Sequence, residues 1–270
     1  MRLRPRRVVL ALLVLLGAPS DQNYFQPLPG AYPSINNKTF AKQCVDAHNK
    51  HRAAVKPSAS NMLYMTWDVA LARTARAWAN RCTFKHSPYR KSHPDSSFWL
   101  LGENLWMSNA VRRHFDPTGP IASWNSEVKS YKFNSHQCER VCGHYTQIVW
   151  DVSYKVGCAI VFCRKTDRSK NIEIFVCNYG PGGNFPRRPY LQGKPCSACP
   201  HGDTCEKKLC RNPERDKVIR YTRWYPHFEH RIICDESCIA LAILRPLLMF
   251  IAFGIVYYLQ KRYPNLSIKQ

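Results

Sequence analysis

Gly143-His-Tyr-Thr-Gln-Ile-Val-Trp150 and, further along, Phe175-Val-Cys-Asn-Tyr-Gly-Pro-Gly-Gly-Asn184 are the stretches of sequence that decide the fold. In the first, His144 and Ile148 stand four positions apart, so they share one face of a predicted short helix. The second begins inside a run dense in Val, Ile, Phe and Cys, which predicts a strand. It ends in Gly180-Pro-Gly-Gly183, which predicts a turn with positive φ and the fixed geometry of proline.

Outward from these stretches, hydrophobic periodicity predicts helices first and paired strands afterwards. The predicted helices cover residues 40–55, a segment capped by Asp68, residues 121–131 and the short stretch around His144. The predicted strands cover residues 155–163 and 171–179. Because helices and strands do not alternate regularly, this order favours a layered α+β domain.

The charge balance limits the classes of partner. Lys and Arg number 40 against 18 Asp and Glu, so the formal net charge at pH 7 is +22. The basic residues are scattered and no nucleic-acid-binding motif accompanies them, so we expect no nucleic-acid partner. We expect instead that the surface meets anionic lipids or glycans.

The cysteine count and the N-terminus both indicate the secretory pathway. Thirteen cysteines in 270 residues favour an oxidising compartment. Residues 1–20 combine a basic start, an apolar run too short to span a bilayer and a small-residue cleavage signal, and we interpret them as a signal peptide. Asn37-Lys-Thr39 then predicts N-glycosylation at Asn37.

A second apolar run, residues 239–259, predicts a transmembrane helix. Arg245-Pro246 interrupts it, and Gln260-Lys-Arg262 follows as a positive flank. A removed lipid-anchor signal is the alternative, but such a tail normally runs to the chain end, and here residues 260–270 are polar-rich. We therefore expect a single-pass type I protein at the plasma membrane, with the domain outside and a short cytoplasmic tail.

Between domain and membrane, the composition changes twice. Residues 191–212 contain four close cysteines among Gly, Pro and charges, which predicts a disulfide-stapled hinge, with a metal knuckle as the rival. Residues 213–238 are basic and aromatic, and we interpret them as a juxtamembrane stalk. At its end, Cys234 and Cys238 either pair with each other or link a homodimer.

Two further motifs complete a family pattern. His48-Asn49 with Arg52 and Gly102-Glu-Asn-Leu105 precede the two opening stretches in a fixed order. Together the four motifs resemble the CAP superfamily of cysteine-rich secretory, antigen 5 and pathogenesis-related-1 proteins, over about residues 40–211. The C-terminal anchor resembles the membrane-attached glioma pathogenesis-related subgroup. The CAP domain is expected at residues 38–190.

The resemblance implies a three-layer α-β-α sandwich with an open cavity lined by His86, Glu103, Glu127 and His144. It implies a divalent metal, usually Zn²⁺, at the two histidines. The chemistry is consistent, because neutral imidazole is a good zinc ligand and a glutamate can fill a coordination position or orient an imidazole. For the other motif residues we favour a structural role, in which His48, Asn49 and Arg52 brace the first helix against Asn178-Tyr179.

The resemblance also implies disulfide pairs. These are Cys82–Cys163, Cys158–Cys177, Cys196–Cys205 and Cys199–Cys210. The pairing of Cys44, Cys138 and Cys142 stays open, and the odd total leaves at least one thiol free or intermolecular.

Three functions are compatible with this sequence. The first is a non-enzymatic binding module whose groove takes a lipid, sterol, glycan or protein. The second is a hydrolase, zinc-dependent with Glu103 or Glu127 as base, or serine-protease-like. No Gly-X-Ser-X-Gly elbow and no His-Glu-X-X-His helix supports it. The third is an adhesion or receptor component that dimerises.

Overall fold

The computed structural model describes residues 32–109, 114–166, 169–229 and 236–263. The predicted signal peptide, Cys234 and most of the predicted tail lie outside these residues. The chain divides into two compact units, Met1–Glu229 and His230–Gln270.

The first unit contains four α-helices, one 3₁₀ helix and eight strands among its described residues. The helices are α1 (Lys38–Ala53), α2 (Val69–Ala79), α3 (Thr118–Asn125) and α4 (Gly143–Ile148), with the 3₁₀ turn at Ser126–Ser130. The strands are β1 (Thr66–Trp67), β2 (Gly102–Ser108), β3 (Tyr131–Lys132), β4 (Gln137–Cys138), β5 (Lys155–Lys165), β6 (Lys170–Gly180), β7 (Thr204–Glu206) and β8 (Leu209–Arg211).

Four strands form the central sheet in the order β1-β5-β6-β2. The β5–β6 and β6–β2 pairs are antiparallel, whereas β1 runs parallel to β5 for two residues only. Cys158 and Cys177 are directly opposite each other in the register and are joined by a disulfide. The two long strands are therefore cross-linked in the middle of the sheet.

The sheet is covered on both faces because its strands alternate between two apolar clusters. Cys158, Phe175 and Tyr179 pack with buried residues of α1, α3 and α4. Their neighbours along the strands, including Val161 and Ile174, pack with the alanine-rich face of α2. The α+β fold is thus a three-layer α-β-α sandwich, as expected.

The third helix is shorter than the periodicity predicts. It ends at Asn125 and gives way to the 3₁₀ turn, and Tyr131 already belongs to β3. The tighter turn moves Val128 out of the apolar stripe, and its side chain is exposed. The edge strand β2 has no counterpart among the elements predicted from periodicity.

The glycines of the turn after β6 are required for a different reason from the one expected. None of its three glycines has a positive φ; the positive value falls on Asn184. A Cβ on Gly182 would lie 2.7 Å from the Gly102 backbone nitrogen, and one on Gly183 would lie 2.6 Å from the Trp150 ring. Glycine is needed here because neighbouring groups approach the backbone closely.

Five disulfides lie within the first unit. Four are the pairs that the resemblance implies, Cys82–Cys163, Cys158–Cys177, Cys196–Cys205 and Cys199–Cys210. The fifth joins Cys138 to Cys142, which leaves Cys44 as a buried free thiol. Cys238, in the second unit, is also disulfide-bonded.

The first part of the segment interpreted as a stalk packs against α2. Arg73 donates hydrogen bonds to the Tyr221 and Trp224 carbonyls, each at 2.6 Å. Arg76 pairs with Glu229 at 2.7 Å. Residues up to Glu229 therefore belong to the first unit.

The second unit contains one long helix, α5 (Glu236–Arg262). Its 27 residues span about 40 Å at 1.5 Å per residue, enough to cross a bilayer. Within the described residues it is the one helix long and apolar enough to do so. Its apolar side chains are exposed, and Pro246 lies inside it.

Candidate functional site

The four residues implied by the family form two separate histidine–glutamate pairs. His86 follows α2 in a loop and pairs with Glu103 of β2, at the edge of the sheet. Glu127 lies in the 3₁₀ turn and pairs with His144 in the first turn of α4. Each pair joins residues 17 positions apart in sequence.

In the first pair, the carboxylate is buried and the imidazole is open to solvent. His86 Nδ1 lies 2.9 Å from Glu103 Oε1, and the Ser87 backbone N–H donates to the same oxygen at 2.8 Å. The Glu103 side chain is 1% exposed, against 61% for His86. Glu103 Oε2 is buried without a hydrogen-bond partner among the described residues.

In the second pair, one carboxylate holds both an imidazole and a helix start. His144 Nδ1 lies 2.6 Å from Glu127 Oε1. The backbone N–H groups of His144 and Tyr145 donate to Glu127 Oε2 at 2.9 and 3.1 Å. Glu127 thus satisfies N–H groups that the first turn of α4 leaves unpaired. The Trp124 ring is stacked on the imidazole at a centroid distance of 6.0 Å.

This bonding pattern suits metal binding. A neutral histidine whose Nδ1–H donates to a carboxylate presents the lone pair of Nε2 outward, the arrangement usual for metal-ligating histidines. The donor set of His86 and His144 therefore fits a divalent cation such as Zn²⁺. The four residues do not place three ligand atoms within 4.8 Å of one another. A metal held by the imidazoles would keep positions for water or a partner.

A hydrogen-bond chain connects the second pair to the first helix. Asn104 Nδ2 donates to the His144 carbonyl and to the Tyr179 hydroxyl, each at 3.1 Å. Tyr179 lies 2.9 Å from His48 Nε2, and His48 Nδ1 lies 2.7 Å from the Cys44 carbonyl. Burial, with a smaller contribution from the nearby Arg52 charge, lowers the pKa of His48 to about 3, so this imidazole is neutral.

The other two residues of the first helix motif brace different segments from those expected. Only His48 contacts the Asn178-Tyr179 region through its side-chain hydrogen bonds. Asn49 exchanges two hydrogen bonds with the Met65 backbone. Arg52 is buried and donates to five backbone carbonyls, those of Leu63, Ile148, Trp150, Asp151 and Ser153. Arg52 therefore ties α1 to Leu63 and to the chain at and after the end of α4, rather than to Asn178-Tyr179.

Sequence reasoning missed the residues that fix the site's position. Asn104 lies beside Glu103 in the family motif, but only the structure shows that it reaches the α4 backbone. Gln147 accepts a hydrogen bond from the Gly183 N–H at 2.9 Å and lies against Gly102, where a Cβ would be 2.0 Å from its Oε1. Gly102 and Gly183, which leave no room for a side chain, are the sequence feature that could have indicated a buried group such as Gln147 packed against them.

The hinge cysteines do not form a metal site. The sulfurs of Cys196, Cys199 and Cys210 lie within 4.8 Å of one another. All three belong to disulfides, and a disulfide sulfur lacks the thiolate charge that binds zinc. The close spacing reflects two neighbouring disulfides.

Comparison with known proteins supports the class that the fold and the paired histidines define. The model of the CAP family, described as the cysteine-rich secretory protein family, matches residues 45–179. This chain belongs to that family. It is 40% identical to glioma pathogenesis-related protein 1 of Mus musculus, over 97% of this chain and 99% of the relative. It is 45% identical to GLIPR1-like protein 1 of Bos taurus, over 80% and 89% respectively.

A solved structure shares the fold. The crystal structure of NaASP2 with Zn²⁺ is 27% identical, with a TM-score of 0.50, and covers 69% of this chain and 100% of its own. This chain is thus a secreted or cell-surface CAP protein with a candidate membrane helix near its C-terminus.

Proposed function

We propose that this protein is a membrane-anchored binding module at the plasma membrane, with its CAP domain outside the cell. The observation that carries the proposal is the matched bonding of His86 and His144, each tied to a glutamate through Nδ1. That pattern prepares two imidazoles to hold a divalent cation, most simply Zn²⁺. Bound zinc would offer open coordination positions to an anionic or carbonyl group of a partner.

The carboxylates are better placed to position groups than to act as bases. Glu127 accepts three hydrogen bonds, from the His144 ring and from two backbone N–H groups. Glu103 is almost completely buried, so its remaining oxygen does not face solvent. A general base needs a lone pair within reach of the proton it takes. This bonding favours a non-enzymatic module over the hydrolase alternative.

The partner class follows from the surface. With a net charge of +22, the protein attracts anionic groups, which suits acidic lipids, sulfated or sialylated glycans, or an acidic protein face. The long apolar helix α5, which carries Lys261 and Arg262 in its last turn, supports an anchor with its C-terminal end in the cytoplasm.

Zinc titration of the purified full-length protein in detergent micelles tests the site. We expect saturable binding that weakens at least about tenfold in a His86→Ala/His144→Ala variant. Glu127→Gln should weaken it roughly 10- to 100-fold, because the carboxylate orients the imidazole. The matched control is His114→Ala/His201→Ala, which removes two other exposed histidines. Equal affinity in all variants, or no binding by the folded wild type, would contradict the proposal.

A further inference from the structure

Among the described residues, the outer edge of β5 is not paired with another strand along most of its length. Its neighbour β1 pairs with it only at Thr66↔Lys155 and Trp67↔Val156. After Trp67 the chain leaves the sheet and enters α2. Among the described residues, the rest of β5 therefore has β6 on one side and no strand on the other.

The register identifies the backbone groups that face this open edge. The Asp68 N–H donates to the Val156 carbonyl at 2.9 Å. The backbone N–H and C=O groups of Val156 therefore face the β1 side of the strand. Alternate residues of a strand point the same way, which directs the N–H and C=O groups of Cys158, Ile160, Phe162 and Arg164 outward. Among the described residues, no hydrogen bond reaches these groups.

A groove runs along the same residues. It has a volume of about 520 Å³ and is lined by β5 residues between Ala159 and Lys165 other than Cys163, by Tyr32–Ile35, by Arg76 of α2 and by Asn80 just after that helix. Its walls are mainly apolar, and the Tyr32 ring is stacked on Phe162 at 6.3 Å. The size lies within the range of ordinary ligand pockets.

Positive charge is concentrated at one end of the groove. Arg164 and Lys165 are exposed and have no carboxylate partner among the described residues. The nearby acids are already engaged, since Glu229 pairs with Arg76 and Glu173 accepts a hydrogen bond from Tyr32. The groove therefore offers two uncompensated cations beside the unpaired edge groups of Ile160, Phe162 and Arg164, whereas Cys158 is fully buried and lies outside it.

We propose that this groove binds an extended acidic peptide segment of a partner protein, which adds to the sheet as a strand beside β5. Strand addition uses the main-chain groups of an open edge for affinity and neighbouring pockets for side-chain selection. Acidic side chains on the added strand pair with Arg164 and Lys165. A second copy of this chain is disfavoured as occupant, because it carries the same cations and a net charge of +22. The inference is independent of whether the His86 and His144 pairs hold zinc.

A peptide-binding measurement on the full-length protein in detergent micelles tests this inference. The probe is a fluorescent eight-residue peptide of alternating valine and threonine that ends in two glutamates. Two N-methylated isomers, with methyl groups on alternate amides, differ only in which edge of the peptide can still donate hydrogen bonds. We expect anisotropy to show saturable binding of the parent peptide and of one isomer, and binding of the other isomer about tenfold weaker or less.

Charge reversal supplies the second arm. A peptide ending in two lysines, and an Arg164→Glu/Lys165→Glu variant of the protein, should each reduce affinity about tenfold. The matched control is Lys207→Glu/Lys208→Glu, which reverses two exposed cations in the hinge, outside the groove. Equal binding of both methylated isomers, an equal effect of the two protein variants, or no binding would overturn the proposal.

Discussion

At the scale of single residues, buried polar groups hold the candidate site to the rest of the domain. His48 is completely enclosed, and its two ring nitrogens bond to the Cys44 carbonyl and the Tyr179 hydroxyl. Asn104 in turn donates hydrogen bonds to the Tyr179 hydroxyl and to the backbone carbonyl of His144. A proton taken up by His48 would place a charge in a fully buried position, which is costly.

This burial predicts a pH-dependent stability. The pKa of His48 is about 3 in the folded protein, below the ordinary value near 6.5, so the unfolded chain takes up the proton first as pH falls. Stability that is present above pH 6.5 is therefore lost progressively between pH 6.5 and 3. From pH 7.5 to 5.0, we expect the wild type to lose about 2 kcal/mol more unfolding free energy than His48→Gln.

Urea unfolding at the two pH values, followed by tryptophan fluorescence, measures this difference. The remaining histidines are common to both proteins and cancel in the comparison. Identical losses in wild type and variant would show that His48 does not titrate as its burial demands.

The sequence nominated the four residues of the candidate site through the family motifs, but it could not predict how they pair. His86 bonds to Glu103 across a loop, and Glu127 reaches His144 only because α3 tightens into a 3₁₀ turn. Such contacts depend on loop conformation, which hydrophobic periodicity does not encode. The Cys138–Cys142 bond was unpredictable for the same reason.

At the scale of elements, the position of α2 depends on one residue of β5. A Cβ on Gly157 would lie 2.1 Å from the Ala72 backbone nitrogen and 2.5 Å from the Asp68 carbonyl oxygen. The backbone of α2 therefore rests directly on the strand. The sequence predicted both elements, yet it held no signal that their closest contact falls at this glycine.

Substitution at this contact tests the packing. Gly157→Ala should destabilise the protein by about 1–3 kcal/mol, because backbone atoms must move to admit the methyl group. The control Gly119→Ala, in α3 with no atom within 4 Å of the new Cβ, should be neutral or stabilising by up to about 1 kcal/mol. Thermal unfolding of both variants decides, and a neutral Gly157→Ala would refute the close packing of α2.

Strand β2 shows why an element can escape prediction. The first four residues of β2 are all buried, yet they include the polar pair Glu103 and Asn104. The sequence therefore lacks the alternation of apolar and polar residues by which a half-buried strand is recognised. Hydrogen bonds offset the cost of burying Glu103 and Asn104. Their partners lie on other segments, so the sequence of β2 alone does not reveal them.

At the scale of the whole molecule, glycosylation and membrane insertion test the proposed topology. Asn37 caps α1, with its side-chain oxygen 3.1 Å from the Phe40 N–H. On electrophoresis, the protein from cells should show a mobility shift that a glycosidase removes. Thr39→Ala should abolish this shift, because it destroys the acceptor sequence, while the Asn37 side chain still caps α1. Ser267→Ala, which removes the sequence Asn265-Leu-Ser267 in the predicted tail, should leave the shift unchanged. A C-terminal epitope should be accessible only after permeabilisation, and the chain should resist alkaline extraction.

A shift that survives Thr39→Ala, or an epitope accessible on intact cells, would contradict a type I orientation. Asn37→Ala should lose both the glycan and the cap, and should be about 1 kcal/mol less stable than Thr39→Ala. Because both variants lack the glycan, the difference in stability between them isolates the contribution of the helix cap.

The three arginines of the α2 region that hold the segment before Glu229 have a mechanical consequence. Glu229 bonds to Arg76, the Phe228 carbonyl to Arg81, and the Trp224 and Tyr221 carbonyls to Arg73. A pull applied from the C-terminal side would load these contacts one after another, so we expect the segment to peel away at low force. The disulfide at Cys210 would then stop the unravelling, and the segment would act as an extensible tether that spares the domain from shear.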